Sequence, residues 1–207
     1  MSTNRLESFS DGVMAVAITL LVLNLMVPLP SKIPHGLGHA LGQQWPTYVA
    51  YATSFITIGI IWINHHVMIG RLRRTDHSIL ILNLLLLLTI GVLPFATDLM
   101  ASYLKQPSGQ HLAAAIYAGS FLAMSIAFAT LNAHILLRRP DMHSAEFSDR
   151  ERRQILARSL VGLAPYAIAA ALAPVSQYAT LAICFAIAFY YALPIGSGSN
   201  VRSKAQA

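Results

Sequence analysis

A few polar side chains stand where apolar sequence surrounds them, and their types decide what chemistry is open to the chain. Arg5, Glu7, Ser10 and Asp11 run directly into an uncharged stretch that continues to Leu29. Trp62, Asn64, His65 and His66 lie within a second apolar stretch, and Asn83 within a third. Carboxylates beside imidazoles suggest acid–base or metal chemistry, but adjacent histidines point about 100° apart on a helix, and no histidine pair at i,i+4 joins a carboxylate to make a metal site. Asp76 and His77 belong to a basic turn, and Asp98 reads as a capped or solvated carboxylate. Without a nucleophile elbow, a phosphate loop or a zinc signature, the residues predict no enzyme, no metal site and no cofactor. Two uses remain: hydrogen bonding between helices, or a polar site on an ion or proton path.

Composition decides the solvent. Of 207 residues, 56% are hydrophobic and only 11% charged, and the mean hydropathy is +0.58, so a lipid bilayer suits the chain better than water. The net charge of +6 would suggest nucleic acid if it formed a patch among exposed aromatics, but the basic residues fall between apolar runs. The lone cysteine, Cys184, lies in an apolar segment and cannot form an intrachain disulfide.

Six runs are long enough to cross roughly 30 Å of hydrocarbon as helices. They are Gly12 to Leu29, Pro46 to Gly70, Ser78 to Leu104, His111 to Leu137, Ser159 to Val175 and Tyr178 to Leu193, the last two being short. Prolines 28, 30 and 34 close the first, Pro46 suits the first turn of the second, and Pro107 with Gly109 divides the third from the fourth. Pro94 and Pro165 fall inside runs and predict kinks. Two carboxylates ahead of the first run, and no small-residue cleavage site after it, predict a retained helix rather than a signal peptide. The fold class is thus an all-α, multi-pass membrane domain over residues 1–195. Residues 138–158 form its one sizeable polar linker, and a Gly/Ser-rich tail over 196–207 is expected to be disordered.

Loops on the side of the first residues hold twelve basic residues, and the opposite loops hold only Lys32 and Lys105. The positive-inside rule then puts both termini in the cytoplasm, with anionic lipids as a secondary contact. Asp11, Trp62, Asn64, His65, His66 and Asn83 occupy one layer within about 12 Å of the inner face, at roughly 1.5 Å per helical residue. Arg5 and Asp11 stand roughly 240° apart around one helix and cannot pair with each other. One reading makes Ser10 and Asp11 helix caps and the histidines and Asn83 interhelical glue; the other gives the group a joint functional role.

The first run also carries an apolar stripe, Val16, Leu20, Leu23 and Val27, with Thr19 beside it. Its spacing suits ordinary packing. Around a symmetry axis the same stripe would make stacked apolar rings, which gate by dewetting. The triplet Phe-Ser-Asp recurs at Phe147 to Asp149, but "SDRE" from Ser148 fits a capping box ahead of a basic helix start.

Taken together, Arg5-x-x-x-Phe9-Ser10-Asp11 followed by "AVAITLLVL", then "IWINHH", then "NLLLLLTIGVLPF", resembles the bacterial branch of the transmembrane protein 175 potassium channels. The specific residues cover the first three spans; the last three agree by topology. The resemblance implies a potassium-permeable cation channel in the bacterial inner membrane, one six-helix repeat per chain, four chains per channel and the first helix of each lining a central pore. It implies a constriction at Val16, Leu20 and Leu23, a contribution to selectivity from Thr19, and a supporting polar network of Arg5, Ser10 and Asp11 with Trp62, His65, His66 and Asn83. Val16 departs in size from the larger residue often found at its position. The second Phe-Ser-Asp is not a second repeat, because His143 stands where its arginine would be. Expected partners are identical subunits, monovalent cations and lipids, with potassium as the permeant ion. The residues alone also leave open a proton-coupled or other secondary carrier using Asp11 and the histidines, and a monomeric accessory protein.

Overall fold

The computed structural model describes residues 3–29, 36–138 and 149–193. All regular structure among them is helical: α1 (Thr3–Leu20) with a 3-10 turn (Leu21–Asn24), α2 (Leu37–Gln43), α3 (Trp45–Ile69), α4 (His77–Tyr103), α5 (Gln110–Ala133) with a π turn (His134–Arg138), α6 (Asp149–Val161), α7 (Leu163–Leu172) and α8 (Gln177–Ala192). Five helical stretches, Thr3–Asn24, Trp45–Ile69, His77–Tyr103, Gln110–Arg138 and Arg150–Leu172, are long and apolar enough to span a bilayer, and Gln177–Ala192 is a shorter apolar helix. The protein is a multi-pass membrane protein.

The helix ends follow local chemistry. Asp76 caps α4 by accepting from the Ile79 amide at 2.9 Å, and Ser176 caps α8 by accepting from the Ala179 amide at 3.2 Å. Pro46 sits in the first turn of α3, where its missing N–H costs nothing. Gly109 opens α5 with φ +83°, and a Cβ there would stand 2.9 Å from the Tyr103 ring, so this turn admits only glycine without strain.

Two expectations change. The first helix starts at Thr3 rather than Gly12 and its α-helical winding ends at Leu20, so Ser10 and Asp11 lie inside it and are not caps. Their polarity is tolerated because α3 and α4 supply partners, as described below. Second, half of the expected linker is helix: α6 carries Arg150, Glu151, Arg152, Arg153 and Gln154, good helix formers, and leads through Gly162 into α7. Pro165, by contrast, lies inside the stretch Arg150–Leu172 as expected, and the helix is interrupted one turn before it, where α6 ends at Val161 and α7 begins at Leu163; Pro94 likewise lies inside its span, within α4. Ser148, the second arginine position His143 and the expected tail lie outside the described residues.

α4 is the centre of the bundle. It packs most extensively on α5 and also on α3 and α1, while α7 and α8 close the far side against α5 and α3. Ile79, Leu86, Ile90, Leu93 and Met100 of α4 are fully buried, and they meet Ile58 and Ile69 of α3 and Tyr117 and Phe121 of α5 in one core. Outward-facing Leu84, Leu85, Leu88 and Phe95 of the same helix are exposed, an apolar surface suited to lipid. At the Tyr103 end, Lys105 Nζ donates to the Gln43 carbonyl at 2.9 Å and lies 5.5 Å from the Trp45 ring centroid, which stacks on Tyr178. That contact joins the ends of α3, α4 and α8.

Candidate functional site

Among the described residues α1 packs chiefly against α4 and α3, and it does so along one side. Leu6, Ser10, Met14, Ala17 and Leu21 form the buried side, at intervals of four, four, three and four residues, which keeps one face of a helix inward.

Within this face three fully buried polar groups form a directed chain. Ser10 Oγ donates to the Leu6 carbonyl one turn back at 2.8 Å and accepts from Asn83 Nδ2 at 2.9 Å. The Asn83 carbonyl oxygen is 2.7 Å from His65 Nε2, which therefore carries the proton and donates. Thus α1, α4 and α3 are joined through one amide whose donor and acceptor ends serve different helices. Toward the rim, Trp62 Nε1 donates to Asp11 at 2.9 Å, and His66 Nδ1 lies 2.6 Å from a Glu7 carboxylate oxygen. The two adjacent histidines diverge around α3, so His65 turns into the core and His66 reaches the rim. Both engage α1 or its partner, by different routes.

The remaining polar residues stand apart. Asn64 donates to its own helix at the Ile60 carbonyl and takes no part. Asp98 is exposed on the opposite half of α4. Arg5 is exposed and has no hydrogen bond or ion pair among the described residues. It lies about 140° around α1 from Ser10, at 100° per residue, which turns it away from α3 and α4. Its companions are Phe9, Gly12 and Val16, all exposed.

That second face is open in the single chain. Val16 is 56% exposed, Leu20 44% and Leu23 68%, and Thr19 lies exposed beside them. Thr19 Oγ1 donates to the Val16 carbonyl at 2.9 Å, so its proton is spent on its own helix and its oxygen lone pairs point outward. Such an oxygen can receive a cation's positive charge and can offer an anion nothing.

Two participants escaped the sequence reading. Glu7 was visible only as a flanking carboxylate, although it precedes Ser10 and Asp11 by three and four residues and so shares their face. Asn24 was read as part of the apolar run; its Nδ2 donates to the Pro94 carbonyl of α4 at 3.3 Å. The partner lies 70 residues away in sequence, and no local pattern signals it.

An all-helical membrane protein, with a first helix anchored by buried polar bonds on one side and open on the other, is the class these observations define. Comparison with known proteins makes it specific. Residues 5–94 match the family model described as endosomal/lysosomal potassium channel TMEM175, a stretch running from the first helix to the proline inside α4 and containing every member of the polar cluster. A protein of Streptomyces collinus named a potassium channel is 41% identical over 91% of this chain and 91% of its own length. A potassium channel of Chamaesiphon minutus is 39% identical over 92% of this chain and 94% of its own length. The crystal structure of a Chamaesiphon minutus homologue of the lysosomal potassium-selective channel TMEM175 superposes with a TM-score of 0.81 at 39% identity, covering 92% of this chain and 96% of that one. The chain belongs to the TMEM175 family of channels.

Proposed function

We propose that this protein is a potassium-permeable cation channel in which four copies place α1 around a central pore. The observation that carries the reading is the division of α1 into two faces: one hydrogen-bonded to α3 and α4, the other an apolar stripe with a single outward hydroxyl, left exposed by the described residues. The names borne by the relatives point to the same function.

In this arrangement Val16, Leu20 and Leu23 form successive apolar rings. An ion crosses them by shedding water, and potassium, which holds its hydration shell less tightly than sodium, loses less. Backbone carbonyls within α1 are occupied by helical hydrogen bonds and cannot act as a filter. Thr19 is the exception on the stripe, offering four oxygens where dehydration begins. Selectivity is therefore modest and comes from the neck. Conduction is passive and requires no cofactor or covalent chemistry. Ser10, Asp11, Trp62, His65, His66 and Asn83 act as supports that hold α1 from behind. Arg5 stands at the inner mouth on the pore side, apart from that support. The twelve-to-two division of basic residues orients both termini to the cytoplasm of a bacterial inner membrane.

Purified protein in planar bilayers should give unitary potassium currents exceeding those of sodium, and Leu20→Ala and Leu23→Ala should enlarge the sodium component. Absence of unitary currents, or currents indifferent to both substitutions, would overturn the reading. The same recordings separate a carrier, whose flux saturates without unitary events.

A further inference from the structure

The winding of α1 changes within the proposed constriction, and the change has a cause in the structure. Leu20 has φ −63° and ψ −27°, values of a 3-10 helix, and the turn Leu21–Asn24 continues that winding. In an α-helix residues i and i+3 are offset by about 60°, whereas roughly three residues per turn in a 3-10 helix superposes them. Leu20 and Leu23 therefore stand one above the other on the open face. Leu21 and Asn24 likewise align on the face toward the bundle, where Leu21 is fully buried and the turn packs against α3 and α4.

A 3-10 turn has poorer hydrogen-bond geometry than an α-helical one and needs an outside hold. Asn24 supplies it. Its side-chain amide is half-buried and donates to the carbonyl of Pro94, at the proline inside α4. Leu25, immediately after, leaves helical geometry at φ −83° and ψ 84°, so the tether falls at the last residue of the turn.

We infer that Asn24 is a positioning residue for conduction: its bond to the Pro94 carbonyl holds the end of α1 in 3-10 winding, which aligns Leu23 with Leu20 in one constriction. The inference rests on the reading of α1 as the pore-lining helix. Loss of the tether lets the last turn relax to α-helical winding, swinging Leu23 by about 60° off the axis through Leu20. Leu20 itself stays in place, because the buried anchors below it are untouched.

The test uses the whole channel in bilayers with Cys184→Ala, which removes the native thiol. Leu20→Cys and Leu23→Cys are introduced separately, and block by silver ion, a thiol-reactive cation comparable in size to potassium, is timed. Both should react. Adding Asn24→Leu should slow silver block at Leu23→Cys roughly tenfold, as that side chain rotates off the pore axis, and leave Leu20→Cys unchanged. Asn24→Gln, which keeps an amide donor, should restore much of the Leu23→Cys rate. If Asn24→Leu does not assemble, Asn24→Ser, too short to reach the carbonyl, takes its place with the same expectation. Equal rates at Leu23→Cys with and without the Asn24 substitution, while both cysteines react, would overturn the positioning role and leave the pore assignment standing. Currents that flow while neither cysteine reacts would show that α1 does not line the pore, and the inference falls with that reading.

Discussion

The bundle holds two buried polar clusters, and they are built on different terms. One, at the Arg5 end, joins α1, α3 and α4 through Ser10, Asn83 and His65. The other, toward the opposite end, joins α3, α4 and α5 through Ser54, Thr97 and Tyr117, with Ser54 and Thr97 oxygens 2.7 Å apart and Ser54 and Tyr117 oxygens 3.3 Å apart. Hydroxyls make up the whole of the second cluster, and they have further partners: Thr97 donates to the Leu93 carbonyl of its own helix at 2.7 Å, and the Tyr117 hydroxyl reaches the Ala50 carbonyl of α3 at 3.3 Å. The first cluster depends on an amide and an imidazole, whose polar atoms find no such substitute on their own helices. Among the described residues, only the first is hydrogen-bonded to α1. A packing device and a support for a functional helix can thus share chemistry and burial yet differ in what their loss does.

Asn83→Ala should separate the two most strongly. It leaves both the His65 N–H and the Ser10 oxygen without their buried partner, and a cost of about 2 kcal/mol is expected, near the top of what interhelical hydrogen bonds contribute in membranes. Potassium flux through reconstituted protein should fall together with the unfolding midpoint in detergent, because α1 loses the bond that fixes its rotation. An intact flux beside a lowered midpoint would reduce this cluster to the same kind of packing device as the other.

Trp62→Phe should have a smaller effect, about 1 kcal/mol, since it keeps the ring and removes only the indole N–H that reaches Asp11. Trp62 is exposed enough for other donors to reach the carboxylate. Flux should fall partially, in step with stability. Thr97→Val should cost about 0.6 kcal/mol, an average value for an interhelical hydrogen bond in a membrane protein, because Ser54 keeps Tyr117 as a partner. Here the midpoint should drop while the potassium-to-sodium permeability ratio and unitary conductance stay unchanged. A shift in either would mean that the α3–α4–α5 cluster also reaches the pore.

How far the sequence discloses these clusters depends on what kind of information each needs. α3, α4 and α8 begin and end within one residue of the expected runs, because Pro46, Asp76 and Ser176 mark their starts and long apolar runs fill them. The start of α1 was hidden: Arg5, Glu7, Ser10 and Asp11 resemble a solvated flank until α3 and α4 are seen to receive them. Depth along the helices put Asp11, Trp62, Asn64, His65, His66 and Asn83 into one layer, although Asn64 turns to its own helix and Ser10 joins the cluster instead. It could not tell which azimuth each would take, and so Arg5 entered the expected network although it faces the other way. The Ser54, Thr97 and Tyr117 cluster gave no signal at all, since hydroxyls in membrane helices are common and satisfy themselves on the preceding turn. Nor did the 3-10 turn, whose tether at Pro94 is a tertiary contact.

Glu7→Gln should show the smallest effect and defines the rim of the first cluster. The Glu7 carboxylate and His66 imidazole are within hydrogen-bond distance, but the His66 side chain is 63% exposed and the Glu7 side chain 26%. Water and mobile ions therefore compete for both, and the pair should contribute no more than about 0.5 kcal/mol, as measured for exposed ion pairs. Gln keeps the length and one oxygen acceptor, so the hydrogen bond can persist while the charge is lost. The expected result is an unfolding midpoint that moves little in low salt and not at all in high salt, with flux unchanged. If Glu7→Gln instead reduced flux as much as Asn83→Ala does, the support of α1 would have to be an electrostatic one at the rim, and the buried Ser10–Asn83–His65 chain would be its consequence rather than its basis.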